Sequence, residues 1–169
     1  CAHGIFAGQD WSLGICGGFS SPAASELISA SDLLIGFGAS FTRWTTHAGM
    51  LVGAQAKLVQ VDIDPSRFGI ERPIDLAVLG DARVTAERLV AELKRRRRPT
   101  AENWRDATTK KVIEAKSNFA APYQDMSRLG CVDPRSVTRA LDAILPRNRV
   151  VVTDAGHSMG WMPRYMQVP

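Results

Sequence analysis

DLLIGFG at residues 32–38 is the stretch of sequence that decides the fold. Its apolar run ends in two glycines, which is typical of a buried strand that passes into a tight turn. KLVQVDID at residues 57–64 predicts a second strand, closed by Pro65, and LAVL at residues 76–79 predicts a third. Because helical patterns alternate with these strands, we predict an α/β fold, a Rossmann-like parallel sheet with helices on both faces.

Capping residues predict where the helices begin. Ser21-Pro22 supplies an N-cap and a first helical position, and Asp81 precedes the clearest apolar helical spacing in the chain. Asp133-Pro134 opens another helix. A more polar helical stripe lies between them, formed by Trp104, Val112, Ala115 and Phe119.

Composition restricts the classes of protein to consider. The chain has 169 residues, of which 45% are hydrophobic and 22% charged, as expected of a globular protein. No apolar run reaches the roughly 18 residues that span a bilayer. Three cysteines, at positions 1, 16 and 131, form no CxxC pair, which argues against a zinc site or a disulfide framework. We expect a cytoplasmic protein with no membrane partner.

Charge is unevenly distributed along the sequence. Residues 1–93 carry a net charge of −4, and residues 94–169 carry +8. The most basic segment, Lys94–Arg98, could contact nucleic acid, but no aromatic residues interleave it. Cations in the last turn of a helix complement its dipole, so a solvated helix end is favoured and no nucleic-acid partner is expected.

Residues 36–40 follow the first strand and resemble a phosphate-binding turn, while Asp62 and Asp64 end the next strand. Glycines let backbone N–H groups approach a diphosphate, and a carboxylate at the following strand end accepts hydrogen bonds from ribose. Phe41 stands where the third glycine of a dinucleotide fingerprint would be. A tight turn with capping aspartates is an equally good explanation of these residues.

RVVVT at residues 149–153 predicts a further strand near the end of the sequence. It would deliver Asp154, Gly156 and His157 to a strand's carboxyl end, where open α/β sheets bind ligands. His47, beside Trp44, is more typical of a hydrogen-bonded structural group. No nucleophile and base are spaced as a catalytic pair, so no catalytic residue is predicted.

Three stretches together resemble a known family. Residues 31–49, 56–93 and 148–161 are similar to the central region of thiamine diphosphate-dependent enzymes of the acetolactate synthase, benzoylformate decarboxylase and oxalyl-CoA decarboxylase type. VDIDP at residues 61–65 and the D-x-A-x-x-GDA pattern at residues 75–82 are the most specific elements. The similarity extends from about Gly4 to Met166.

This resemblance implies a fragment of a three-domain enzyme that acts on 2-oxo acids as a decarboxylase or carboligase. Residues 1–125 correspond to the central domain, with a six-stranded parallel sheet, and residues 126–169 to the beginning of the truncated thiamine diphosphate-binding C-terminal domain. Its partners would be the missing N- and C-terminal domains, in a homo-oligomer. The alternative is a free-standing adenine-nucleotide-binding module of unrelated function.

The resemblance also assigns cofactor contacts. Family members that bind FAD or ADP hold the phosphates at positions matching Gly36, Gly38, Ala39 and Ser40, with Asp62 and Asp81 toward the ribose and adenine. The loop that contacts thiamine diphosphate matches Gly156, His157 and Ser158. The glutamate that activates this cofactor and the motif that ligates Mg²⁺ are absent from the sequence. Thiamine diphosphate and Mg²⁺ are therefore expected in the full-length enzyme, and this chain alone is expected to be inactive.

Overall fold

The computed structural model describes residues 4–96, 104–117 and 122–167. In chain order the regular elements are α1 (Pro22–Ser29), β1 (Leu33–Phe37), β2 (Lys57–Asp62), β3 (Leu76–Leu79), α2 (Ala82–Arg96), α3 (Ala107–Ala115), α4 (Pro134–Ile144) and α5 (Trp161–Tyr165). Two 3₁₀ turns cover Pro65–Arg67 and His157–Gly160. Each predicted helix start and each of the first three predicted strands is confirmed to within a few residues.

The chain folds as two compact units. One is formed by residues 26–104, and the other joins residues 1–25 to residues 105–169. The domain boundary expected between residues 125 and 126 stays a prediction. Within the described ranges, no helix has both the length and the apolar character needed to cross a bilayer.

A parallel sheet of three strands, in the order β1-β2-β3, organises the unit formed by residues 26–104. Leu33 pairs with Lys57 at one end of β1, and Val59 pairs with Leu76 where β3 joins β2. The parallel pairing confirms the predicted α/β fold. The described residues do not supply the six strands that the resemblance implies. Residues 4–18, for example, contain four glycines with positive φ, which favour turns over strands.

The central strand β2 carries the core of this unit. Leu58 and Val61 are 4% and 2% exposed, and Gln60 is buried beside them at 1%. The Gln60 amide donates from Nε2 to the carbonyl oxygen of Arg67 at 3.0 Å and accepts at Oε1 from the N–H of Gly69 at 3.1 Å. A buried amide is tolerated when its donors and acceptors are paired. Gln60 therefore ties the loop that follows β2 to the middle of the sheet.

Helix α2 begins and ends as the sequence predicts. Asp81 accepts at Oδ1 from the N–H of Val84 at 2.9 Å, which makes it the N-cap. In the last turn, Glu92 pairs with Arg95 at 2.7 Å and with Arg96 at 2.6 Å, and these hydrogen bonds lower the pKa of Glu92 to about 2. The basic segment is thus a solvated helix end as far as Arg96. Its last two residues, Arg97 and Arg98, lie outside the described residues.

Helices α3 and α4 in the other unit are also capped by aspartates. Asp106 accepts from the N–H of Thr109 at 2.7 Å, although Phe119 of the predicted stripe lies outside the described residues. Asp133, only 4% exposed, accepts from the N–H of Arg135 at 2.9 Å and of Met126 at 3.0 Å. The Arg135 guanidinium, 2.6 Å away, holds the pKa of Asp133 well below its usual range.

The strand predicted at residues 149–153 does not form, and that prediction is wrong. Val150 and Val152 are 91% and 89% exposed, and no described segment pairs with them. A β-branched run becomes a strand only when a neighbour accepts and donates its backbone hydrogen bonds. Arg149 instead turns back to α4, where its guanidinium donates to the carbonyl oxygen of Leu145 at 3.2 Å and to the carboxylate of Asp142.

Candidate functional site

The carboxyl edge of the sheet gathers the residues predicted to bind a nucleotide. The N–H of Gly38 donates to the carbonyl oxygen of Val61 at 2.8 Å, and the N–H of Gly80 donates to that of Asp62 at 2.9 Å. These bonds extend both strand ladders past the ends of β1 and β3. The turn at residues 38–40, the end of β2 and Asp81 therefore lie along one edge.

The turn after β1 presents backbone donors that no described residue engages. Gly38 has a φ of +64°, and a side chain at this position would meet no atom within 4 Å. In the described parts of the chain, the N–H groups of Ala39 and Ser40 have no hydrogen-bond acceptor. Successive N–H groups next to a left-handed residue form a concavity that suits an anion. This arrangement fits the phosphates of a nucleotide.

Gly36 has a different role from its neighbours in the turn. It is buried, and a Cβ there would lie 2.9 Å from Cζ of Phe41, closer than real Cβ atoms come to a neighbour. The glycine therefore lets the Phe41 ring close over the end of β1. Its predicted place near the phosphates stays a prediction, and the structure gives it a packing role.

Both aspartates predicted to face ribose and adenine use one oxygen for local structure. Oδ1 of Asp62 accepts from the N–H of Asp64 at 3.0 Å, and Oδ1 of Asp81 caps α2. Asp64 itself caps the 3₁₀ turn at Pro65–Arg67, and hydrogen bonds from Ser66 lower the pKa of its carboxyl. Oδ2 of Asp62 and of Asp81 has no partner among the described residues, so each can still accept a hydroxyl.

Arg67 is a site residue that the sequence reasoning missed. The 3₁₀ turn at Pro65–Arg67 folds the chain back, and Nη2 of Arg67 lies 3.3 Å from Oγ of Ser40. This brings a guanidinium next to the unpaired N–H groups of the β1 turn, where it adds positive charge for an anion. The Pro-Ser-Arg sequence predicts a turn, but nothing in it indicates where the arginine ends up.

The predicted thiamine diphosphate contacts lie in the other compact unit. Gly156 has φ +94° and ψ −157°, a conformation favoured only by glycine, and it precedes the 3₁₀ turn His157–Gly160. The side chains of His157 and Ser158 are exposed. Open backbone with an exposed imidazole and hydroxyl fits an anionic group. No group of three or more potential metal ligands comes together within the described ranges.

Comparison with known proteins identifies the family to which this chain is similar. The profile of the family described as "Thiamine pyrophosphate enzyme, central domain" matches residues 2–89. The chain is 27% identical over 158 residues to a sulfoacetaldehyde acetyltransferase from Roseovarius nubinhibens, covering 82% of this chain and 26% of that protein. It is 24% identical over 164 residues to a probable acetolactate synthase large subunit from Methanococcus aeolicus, covering 92% of this chain and 27% of that protein.

A third relative, the acetolactate synthase large subunit from Parasynechococcus marenigrum, is 27% identical over 157 residues, with 92% of this chain and 24% of the relative covered. The chain thus spans about a quarter of the length of the curated relatives it matches. The family profile covers more than half of the chain and includes all three strands of the parallel sheet. This chain belongs to the thiamine pyrophosphate enzyme family through its central domain.

Proposed function

We propose that this chain is the non-catalytic central region of a thiamine diphosphate-dependent decarboxylase or carboligase of 2-oxo acids. We further propose that the carboxyl edge of its sheet binds an adenine nucleotide, FAD or ADP. The observation that carries the second proposal is that the N–H groups of Ala39 and Ser40, beside the Arg67 guanidinium, have no acceptor in the part of the chain that the structure describes. The similarity to much longer enzymes supports the first, because most of their length lies outside this chain.

The chemistry of this edge matches the parts of an adenine nucleotide. Phosphate oxygens would accept from the N–H groups of Ala39 and Ser40 and from the guanidinium of Arg67. Ribose hydroxyls would donate to the second carboxylate oxygens of Asp62 and Asp81. The donors to phosphate and the acceptors from ribose lie at neighbouring strand ends. Phosphate and ribose are likewise adjacent in a nucleotide.

Gly156, His157 and Ser158 would contribute contacts to the phosphates of thiamine diphosphate. When bound, this cofactor supplies a carbon nucleophile and an electron sink for reactions at a carbonyl carbon. Mg²⁺ needs several hard oxygen ligands, and the described residues gather no such cluster. We therefore expect this chain alone to bind thiamine diphosphate with Mg²⁺ weakly and to have no activity of its own.

Calorimetric titration of the chain with ADP and FAD tests the nucleotide site, with thiamine diphosphate plus Mg²⁺ as the comparison. We expect Asp62→Ala to weaken binding of the adenine nucleotide about tenfold, because a charged acceptor of a ribose hydroxyl is lost. Glu87→Ala is the matched control, since it removes an exposed carboxylate from the surface of α2. Absence of ADP and FAD binding, or equal affinity in the Asp62 variant, would overturn the proposed site.

A further inference from the structure

A pocket lies in the unit formed by residues 26–104, beside the residues predicted to bind nucleotide but lined by other side chains. It has a volume of about 310 Å³ and is lined by the turn-rich segment from Phe41 to Gly49 and by Glu71 and Arg72, which precede β3. None of the predicted nucleotide contacts lines it. The residues that line it differ in chemistry from those of the proposed nucleotide edge.

Positive charge exceeds negative charge in the lining of this pocket. Arg43 and Arg72 contribute two guanidinium groups, and Glu71 contributes one exposed carboxylate. Neither arginine forms an ion pair with any residue in the described parts of the chain. Nη1 of Arg72 is covered from solvent and has no hydrogen-bond acceptor among the described residues. A covered guanidinium nitrogen without an acceptor is costly, and an anion that engages this group would remove that cost.

The guanidinium of Arg72 lies against a turn whose backbone is in the left-handed region. Gly49 has a φ of +92°, and a Cβ there would lie 3.6 Å from Nη2 of Arg72, so the guanidinium packs directly against this turn. His47 and Ala48, just before it, have φ values of +50° and +56°, which non-glycine residues seldom adopt. Such strained conformations persist only where the surroundings hold them, and they concentrate at ligand sites.

Backbone N–H groups of this turn are already used within the turn. The N–H of Ala48 donates to the carbonyl oxygen of Arg43 at 2.7 Å, and that of Gly49 donates to Thr46 at 3.0 Å. Thr46 Oγ1 likewise donates to the carbonyl oxygen of Thr42 at 2.8 Å. Recognition in this pocket therefore depends on the two guanidinium groups, whose planar forks match the oxygens of phosphate and carboxylate groups.

We propose that this pocket binds a phosphate group, held by the guanidinium groups of Arg72 and Arg43. Two cations suit a phosphate dianion better than a singly charged carboxylate. The group comes either from free phosphate or from the terminal phosphate of a nucleotide. The site is additional to the proposed nucleotide edge, since it shares no residue with it.

Calorimetric titration of the whole chain with inorganic phosphate, at constant ionic strength set with chloride, tests this site. We expect Arg72→Gln to weaken phosphate binding at least about tenfold and Arg43→Gln to weaken it to a smaller extent. Arg83→Gln is the control, because it removes the same charge from the exposed surface of α2. If circular dichroism shows that the Arg72 variant does not fold, the Arg43 variant decides.

Equal phosphate affinity in the folded variants and the original chain, or no binding up to about 10 mM, overturns the proposal. Competition by ADP identifies the terminal phosphate of a nucleotide as the source, and simultaneous binding of ADP and phosphate identifies free phosphate. Asp62→Ala separates this site from the nucleotide edge. It should weaken ADP binding while leaving the affinity for inorganic phosphate unchanged.

Discussion

The guanidinium of Arg67 lies 3.3 Å from the hydroxyl of Ser40, and this contact joins the turn after β1 to the turn after β2. The two residues are 27 positions apart in the sequence. The contact places a cation beside N–H groups that find no acceptor among the described residues, at an edge whose neighbouring strand ends carry aspartates.

Replacing Arg67 tests the charge at this edge. Arg67→Gln should weaken ADP binding about three- to tenfold, because a charged donor to phosphate is lost. The melting temperature should stay the same, since Arg67 is exposed. Calorimetric titration measures the affinity, with the exposed Arg88→Gln variant of α2 as the control. An unchanged ADP affinity would show that Arg67 does not contribute to nucleotide binding.

A methyl group at Gly36 should destabilise the unit formed by residues 26–104. Its Cβ would lie 2.9 Å from the Phe41 ring, and overpacking of this kind costs about 1–3 kcal/mol. Chemical denaturation of Gly36→Ala measures the loss, and Phe41→Leu in the same chain should restore part of it. Gly18→Ala is the control, because no atom lies within 4 Å of a Cβ there. Equal stability of the Gly36 and Gly18 variants would contradict the packing role.

Asp133 should make stability depend on pH at the acid end. Its folded-state pKa lies below the unfolded value of about 3.9, so its contribution is complete above that value and is lost as the pH falls below it. Melting curves between about pH 3 and pH 7 test this. Asp133→Ala should lower the melting temperature at pH 7 by about 2–4 °C. It should also flatten the acid limb, the fall of the melting temperature as the pH is lowered.

Asn at the same position separates the cap from the charge. Asp133→Asn keeps an acceptor for the N–H of Arg135 and loses the ion pair, so it should flatten the acid limb with a smaller loss at pH 7. An acid limb that is as steep in both variants as in the original chain would rule out Asp133 as its source.

Arg149 should stabilise the end of α4 through its forked shape as well as its charge. Besides the carboxylate of Asp142 it contacts three backbone carbonyl oxygens near the helix end and that of Gln167 at 2.8 Å. Arg149→Lys keeps the charge but cannot reach these acceptors together, so the melting temperature should fall by about 2–4 °C. Arg147→Lys, at an exposed position, is the control. Equal melting temperatures would contradict this role.

Residues 149–153 should contribute little to the stability of this chain. Because Val150 and Val152 are almost fully exposed, Val150→Thr and Val152→Thr should each change the free energy of unfolding by no more than about 0.5 kcal/mol. Chemical denaturation measures this change. A loss above about 1 kcal/mol would mean that the segment is paired in solution, as the sequence predicts.

Local chemistry made much of the fold predictable. Asp81, Asp133 and the Ser21-Pro22 pair each begin a helix where capping rules place it, and LAVL at residues 76–79 coincides with β3. These predictions hold because the interactions involved are only a few residues apart. The RVVVT segment failed for the opposite reason, since an apolar β-branched run describes a strand's capacity to pair and says nothing about whether a partner is present.

The same distinction applies to the candidate site. Asp62 and Asp81 could be placed at one edge from the sequence because parallel strands bring their carboxyl ends together. Arg67 and Arg72 could not, since their positions depend on loops whose course is set by long-range packing. The nucleotide and thiamine diphosphate contacts themselves stay predictions.

The buried amide of Gln60 restricts the length of the loop that follows β2. Its Nε2 donates to the carbonyl oxygen of Arg67 and its Oε1 accepts from the N–H of Gly69, so both loop residues must lie within hydrogen-bond distance of the middle of β2. An insertion between residues 61 and 68 would shift both partners out of reach and leave a polar group unpaired in the core. Most surface loops accept extra residues at little cost, but this one has its length fixed from inside the sheet.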